Sequence, residues 1–258
     1  MSAQEKGAAF RALHEGEPFV IPNPWDAGAA RVLESLGFQA LATTSSGFAY
    51  SLGRADGSVS LDEVAAHIRA LDAATSLPIS VDLENGYGPA PEDAARAISV
   101  AAGAGAAGGS IEDYDRGHGL YSLEHAAARV AAAVEAARAA GFEFTLTARA
   151  ENHIRGNPDL EDTIARLQAY ERAGADVLYA PGLRDADEIH AVCSAVGKPV
   201  NVLAHAGLTA DEIFGAGAQR ISVGGALTWV ATTAFVSAAE AIRDHGDFSV
   251  LNGRPPFR

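Results

Sequence analysis

One unit recurs along this chain, and it leaves few folds open. A short apolar strand is followed by a polar or glycine-containing loop, then by an amphipathic helix that stops near glycine. Strand candidates lie at 19–21, 40–42, 79–82, 109–112, 145–149, 177–180, 200–203 and 220–223. Helix candidates follow at 27–36, 61–75, 91–104, 123–140, 160–173, 185–196, 210–216 and 227–243. The strands are short and mostly apolar, as parallel strands buried on both faces must be. Gly37, Gly105, Gly141, Gly174 and Gly217 stand where helix C-caps need them, and Ser60, Asp159 and Thr209 mark helix starts. Eight strand–helix units in 258 residues predict an α/β fold, a (β/α)8 barrel of TIM type. A doubly wound open sheet is the alternative. Its glycine-rich nucleotide fingerprint is missing after the first strand, where Pro22-Asn23-Pro24-Trp25-Asp26 stands instead. With no internal linker evident, residues 1–258 read as one domain.

Composition narrows the partners. The net charge of −14 argues against nucleic acid and against an anionic membrane surface. No apolar run is long enough to span a bilayer, and the polar N-terminal segment lacks the apolar core of a signal peptide. A single cysteine, Cys193, excludes an intrachain disulfide framework and fits a reducing cytoplasm. It falls on a helix of the outer ring, where packing is its expected role.

The segment ISVDLENGYG, 79–88, carries the most chemistry. Asp82 and Glu84 stand two apart at a strand end, so their side chains point the same way. Gly86 and Gly88 let the backbone turn tightly and a ligand come close. Two convergent carboxylates repel unless a cation or proton lies between them, and a hard divalent ion such as Mg2+ prefers oxygen ligands. A plainer reading makes them loop acids before the next helix, although Pro91-Glu92-Asp93 already supplies acids there.

In a barrel, functional groups belong at the C-terminal ends of strands. The second strand here runs into Thr43-Thr44-Ser45-Ser46-Gly47. The fourth ends in Glu112 and Asp113, and the fifth in Arg149, Glu151 and Asn152. The seventh carries Asn201 and leads to His205. Nothing ranks His205 or His153 among the candidates. Tyr50 and Tyr87 are further rim candidates that read better as packing, and Trp25 and Trp229 read as packing or subunit contacts.

Four stretches now point to a known group. TTSSGFAYSLGRADG (43–57), VDLENGYG (81–88), GGSIEDYD (108–115) and LTARAENHIRG (146–156) resemble the isocitrate lyase / phosphoenolpyruvate mutase superfamily in order and spacing. The resemblance implies a (β/α)8 barrel in a homo-oligomer, dimer or tetramer, with the last helix exchanged between subunits. It implies Mg2+, with Mn2+ as a substitute, held by Asp82, Glu84 and Glu112 directly or through water. It implies that Ser46 and Gly47 offer backbone amides to a substrate carboxylate, that Arg149 binds substrate or its developing charge, and that Asp56 lies nearby. Thr44 and Asn201 complete the expected substrate contacts. Substrates of such enzymes are small 2-oxo or 2-hydroxy acids, cleaved through an enolate.

The chain also departs from that pattern. The carbon–carbon lyases carry a mobile loop after the fourth strand with a KKCGH-type sequence, whose cysteine supplies a proton. Here the region reads Asp115-Arg116-Gly117-His118-Gly119-Leu120-Tyr121, without cysteine. The lysine and asparagine of the phosphonopyruvate-forming mutases are missing as well. His118, between hinge glycines, and Tyr121 become the candidate proton donors. A solvated loop histidine is the plain alternative.

These readings converge on a Mg2+-dependent carbon–carbon lyase or decarboxylase of oxaloacetate type. A phosphonate mutase or hydrolase is the second reading, and a barrel that binds a metabolite without catalysis the third. The apolar segment 227–242 and the Pro255-Pro256-Phe257 tail are expected to make subunit contacts.

Overall fold

The structure is a computed structural model that describes residues 1–253. The Pro255-Pro256-Phe257 tail lies outside the described residues. The chain opens with helix α1 (Ala3–Glu15), which the strand–helix pattern does not foreshadow. Ser2 and Glu5 form its capping box.

Eight parallel strands follow: β1 (Phe19–Ile21), β2 (Leu41–Ala42), β3 (Ile79–Asp82), β4 (Gly108–Glu112), β7 (Thr145–Arg149), β8 (Val177–Tyr179), β9 (Val200–Leu203) and β10 (Arg220–Ser222). The labels β5 (Tyr114–Asp115) and β6 (Gly119–Leu120) belong to a small antiparallel hairpin after β4. Around the sheet the order is β1, β10, β9, β8, β7, β4, β3, β2, so sequence neighbours are spatial neighbours and the ends of the sheet face each other. The ring closes where Ala42 donates its N–H to Pro22 O at 3.0 Å and Asn23 Nδ2 donates to Thr43 O at 2.9 Å. This is the expected TIM-type barrel.

Helices α2 (Ala27–Ser35), α4 (Leu61–Ala74), α5 (Pro91–Gly103), α6 (Leu123–Arg138), α7 (Leu160–Arg172), α8 (Ala186–Ala195) and α9 (Ala210–Gly215) form the outer ring. A seven-residue helix, α3 (Ser45–Ser51), sits at the mouth directly after β2. Ser60, Asp159 and Thr209 cap their helices as the sequence indicates, each such cap stabilising by about 1 kcal/mol. The ring helices bury apolar faces against the strands, with Ile68, Leu71, Ile98 and Leu167 fully buried. Each contributes roughly 1.5–3 kcal/mol. Cys193 lies on α8, partly buried against the core, and burial pushes its thiol up to about 11. That makes it packing and not a nucleophile.

The last helix, α10 (Ala226–His245), behaves differently. Only Thr228 is buried along its twenty residues, while Trp229, Val230, Phe235 and Val236 are exposed. Trp229 meets Tyr50 edge-on at 5.2 Å.

Candidate active site at the barrel mouth

The site is built from the ends of β2, β3, β4 and β7. Asp82 closes β3 with its carboxylate fixed by backbone amides. Ser45 N donates to Oδ2 at 3.2 Å, and Glu84 N donates to Oδ1 at 3.2 Å. Its own amide donates to Thr43 Oγ1 at 2.9 Å. Glu84 and Tyr87 take left-handed φ values of +49° and +64°. For side chains other than glycine such backbone costs on the order of 1–3 kcal/mol and collects at functional sites. The Tyr87 hydroxyl is buried there without a hydrogen-bond partner.

Glu112 ends β4 and pairs in register with Arg149 at the end of β7. The Arg149 guanidinium lies 3.6 Å from Glu112 Oε2 and 3.9 Å from Asp82 Oδ1, and its Nε donates to Glu151. It also lies over the Tyr179 ring, 5.2 Å from the centroid. Fully buried Glu151 has Arg155 as a second partner at 2.8 Å, and Arg155 reaches on to Glu112 at 3.7 Å. Asp113 supports this arrangement from below. It accepts from Glu151 N at 2.8 Å and from Arg166 at 2.9 Å, so it is a brace and not a ligand.

Across the mouth, Arg116 at the hairpin turn pairs with Asp56 at 2.6 Å and approaches Glu84 at 3.8 Å. The Arg116 side chain passes over Gly57, whose left-handed φ of +81° favours glycine.

Two charge clusters meet at the mouth. Arg116 joins Asp56 and Glu84, while Arg149 and Arg155 join Asp82, Glu112 and Glu151, five acids against three guanidiniums in all. Burial pushes Glu84 up to about 7, and Asp82 and Asp56 add to the shift. Glu112 is likewise raised by burial, and further by Glu151 and Asp82, although Arg149 and Arg155 oppose the rise. Burial works against the charge of Arg149, but Glu151 and Glu112 outweigh it and keep the guanidinium firmly protonated.

Asp82, Glu84 and Glu112 do share the rim, yet no three His, Cys, Asp or Glu side chains among the described residues form a ready cage. Arg149 stands between Asp82 and Glu112 and neutralises part of their charge. The residues still fit Mg2+. That ion keeps several waters and needs only one or two direct carboxylates. An excess of two negative charges, with two acids pushed toward protonation, is what a hydrated divalent ion would relieve.

Two cavities adjoin here. The inner one, about 60 Å3, opens into the barrel and is lined by Thr44, Asp82, Arg149, Tyr179, Asn201 and Arg220 among others. The outer one, about 280 Å3, lies under the hairpin and is lined by Glu84, Glu112, Tyr87 and Arg116. Ser46, Gly47 and Asp56 line neither. The Gly47 amide donates to Thr44 Oγ1 at 3.3 Å, and Ser46 Oγ lies 3.1 Å from the same atom. A Cβ on Gly47 would stand 2.6 Å from Thr228 Oγ1, so the start of α3 is pressed against α10.

The expected proton donors turn away. His118 is exposed at the hairpin turn, with Nδ1 2.9 Å from Asp115. Tyr121 is buried beneath the hairpin, its hydroxyl 3.2 Å from Asn85 Nδ2 and its ring under Arg129. Neither lines the two cavities. The antiparallel pairing of β5 with β6 is the reason, since it folds the segment back on itself. Sequence reasoning passed over Arg116, Arg155 and Tyr179 as site residues. Only the i,i+4 spacing of Glu151 and Arg155 offered a signal. A third cavity, about 260 Å3, lies at the opposite face among Arg11, Arg138, Lys198, Glu143 and Asp176, where barrels keep stability and not chemistry.

Comparison with known proteins agrees with this geometry. A profile of the phosphoenolpyruvate phosphomutase family matches residues 10–243. An oxaloacetate decarboxylase of Rhodopseudomonas palustris is 30% identical over 265 residues, covering 98% of this chain and 90% of its own. The 2-methylisocitrate lyase of Escherichia coli is 33% identical over 212 residues, 78% of this chain and 70% of its own. The crystal structure of a provisionally named lyase/mutase from Burkholderia cenocepacia superposes with a TM-score of 0.95 at 52% identity, covering 98% of this chain and 93% of that one. With its barrel, its acid-and-arginine mouth and these relatives, the chain belongs to the phosphoenolpyruvate phosphomutase family, and it is an enzyme of the isocitrate lyase / phosphoenolpyruvate mutase superfamily.

Proposed function

We propose that this enzyme is a Mg2+-assisted carbon–carbon lyase or decarboxylase acting on a small 2-oxo acid, with oxaloacetate as the leading candidate. One observation carries the reading. Arg149, fixed as a cation between Asp82 and Glu112, faces a small polar cavity at the C-terminal mouth. The named relatives support the reaction class.

Asp82, Glu84 and Glu112 would hold the ion, Asp82 with its carboxylate already fixed by two amides. When bound, Mg2+ supplies Lewis acidity toward the acid's oxygens. Arg149 binds the substrate carboxylate and offers fixed positive potential to the oxygen on which charge builds. In oxaloacetate the C3–C4 bond breaks, CO2 leaves, and the electron pair passes into the C2–C3 enolate. A proton delivered to C3 from solvent at the rim then yields pyruvate. Arg116, clasped to Asp56, holds the hairpin over the outer cavity and limits water there.

The same reading makes the protein one domain, placed in the cytoplasm. Its bare α10 supports a homo-oligomer, because an apolar helix with a single buried residue gains most by packing on a second copy.

The test is a screen of oxaloacetate, 2-methylisocitrate, 2,3-dimethylmalate and phosphonopyruvate with and without Mg2+, reading pyruvate release. Metal-dependent pyruvate from a carbon–carbon substrate, lost in Asp82→Ala, is expected. Turnover of phosphonopyruvate alone would move the reaction to the P–C bond. Full turnover by Asp82→Ala would remove the assignment.

A further inference from the structure

Beneath the mouth, the barrel interior holds a charge that the site above leaves unexplained. Arg220, at the first position of β10, is only 4% exposed. Its Nε donates to Asn201 Oδ1 at 2.8 Å, and its Nη2 to Thr147 Oγ1 at 3.1 Å. Its Nη1 lies 3.1 Å from His14 Nε2. His14 Nδ1 lies 2.8 Å from Phe10 O, which fixes that nitrogen as the donor and leaves Nε2 as a neutral acceptor. Burial and the nearby Arg220 hold His14 down to about 3, so it stays uncharged.

All three acceptors are therefore neutral. Among the described residues Arg220 makes no ion pair, and burial draws its guanidinium down to about 10. Burying a cation without a counter-charge is costly, and barrel interiors are usually filled by branched apolar residues. Arg220 also has more N–H donors than these acceptors use. It shares the inner cavity with Arg149 and Asp82, and Thr43, Ser80, Ser110 and Ser222 line it with further hydroxyls able to donate. The cavity volume of about 60 Å3 exceeds the roughly 10–15 Å3 that one water needs on the same measure. It suits one small anion.

We propose that Arg220 and the hydroxyls facing it form an interior anion site that takes one small monoanionic group, a free halide or one carboxylate of a bound acid. The halide form stands on Arg220 and its cavity alone, and the carboxylate form rests on the reaction proposed at the mouth, whose Arg149 lines the same cavity.

The test uses the whole protein with bromide as probe. Crystals soaked in sodium bromide should show an anomalous peak in the cavity beside Arg220. Bromide should raise Tm saturably, while gluconate, too large for the cavity, leaves it flat at equal ionic strength. Asn201→Asp places a permanent carboxylate on Nε and should weaken bromide binding at least tenfold. Thr147→Asp does the same from the other side and covers a folding failure of the first variant. Oxalate separates the sources: displacement of bromide by oxalate assigns the seat to an acid's carboxylate, and joint binding assigns it to a free ion. An empty cavity with a flat Tm, or bromide binding undiminished in a folded aspartate variant, overturns the proposal.

Discussion

Arg116 meets Asp56 at 2.6 Å across sixty residues of sequence, fastening the hairpin after β4 to the loop before α4. Both side chains are more than a third exposed, so the pair itself adds at most about 1 kcal/mol. Its value is positional.

Arg116→Ala should leave Tm within a degree or two while changing turnover. The hairpin would open more freely, KM should rise several-fold, and a side reaction with water should become detectable. Steady-state kinetics beside a melting curve checks this. An equal loss of stability and activity would point to a folding role instead.

Arg149→Lys keeps a positive charge among Asp82, Glu112 and Glu151 but loses the planar fork. Activity should fall about 100- to 1,000-fold with the fold retained. Arg149→Met leaves those acids without their central counter-charge and should cost on the order of 3–5 kcal/mol. Chemical denaturation of both variants separates the two effects.

Glu84 sets a pH dependence whose sign can be worked out. Its carboxyl titrates near 7 in the folded chain against 4.5 when unfolded, so between those values the native state binds more protons. Stability of the metal-free protein should fall as pH rises through that window, by on the order of 3 kcal/mol from this group. Saturating Mg2+ should flatten the slope, and binding should release protons, which calorimetry in buffers of different ionisation enthalpy would register. Stability that climbs from pH 4.5 to 7 without metal would contradict the assignment.

Gly47→Ala brings a methyl group within 2.6 Å of Thr228 Oγ1 and 2.7 Å of Thr44 Cγ2. Overpacking of this kind costs about 1–3 kcal/mol. The expected readouts are a lower Tm and a drop in kcat/KM of more than tenfold, because α3 shifts off its seat beside Asp82. A variant as active as the parent would show that the start of α3 plays no part in catalysis.

His118→Ala should keep activity within about threefold, since the ring faces solvent and Asp115. Tyr121→Phe should cost about 1 kcal/mol through its lost hydrogen bond to Asn85, with kcat unchanged. A hundredfold fall in kcat for His118→Ala would mean that the hairpin refolds over substrate and restores the histidine as a donor.

Much of the barrel was legible because parallel strands buried on both faces leave uninterrupted apolar runs, and glycines punctuate the helices between them. Segments with weaker periodicity escaped. Ser45–Ser51 carries a glycine and three serines and reads as loop, yet Thr44 caps it into a helix. The acids of the site were visible as strand-end residues, and Asp82, Glu84, Glu112 and Arg149 do face one mouth. What could not be read was how they share it. Arg149 stands among the carboxylates through its register with Glu112. Arg116 reaches its partner only because the hairpin folds back, and that same turn carries His118 outward. Arg220 passed unnoticed because an arginine at the start of a short strand looks like an edge residue until the ring closes around it.

The seam between β1 and β2 rests on one main-chain bond and one asparagine side chain, where every other junction is a strand ladder. A cylinder stitched so lightly along one line should breathe there first, so deuterium ought to enter at Ala42 ahead of the amides of β4 and β7. Asp82 takes one of its amides from Ser45, just beyond that line, and each such opening would loosen the acid on which the chemistry turns.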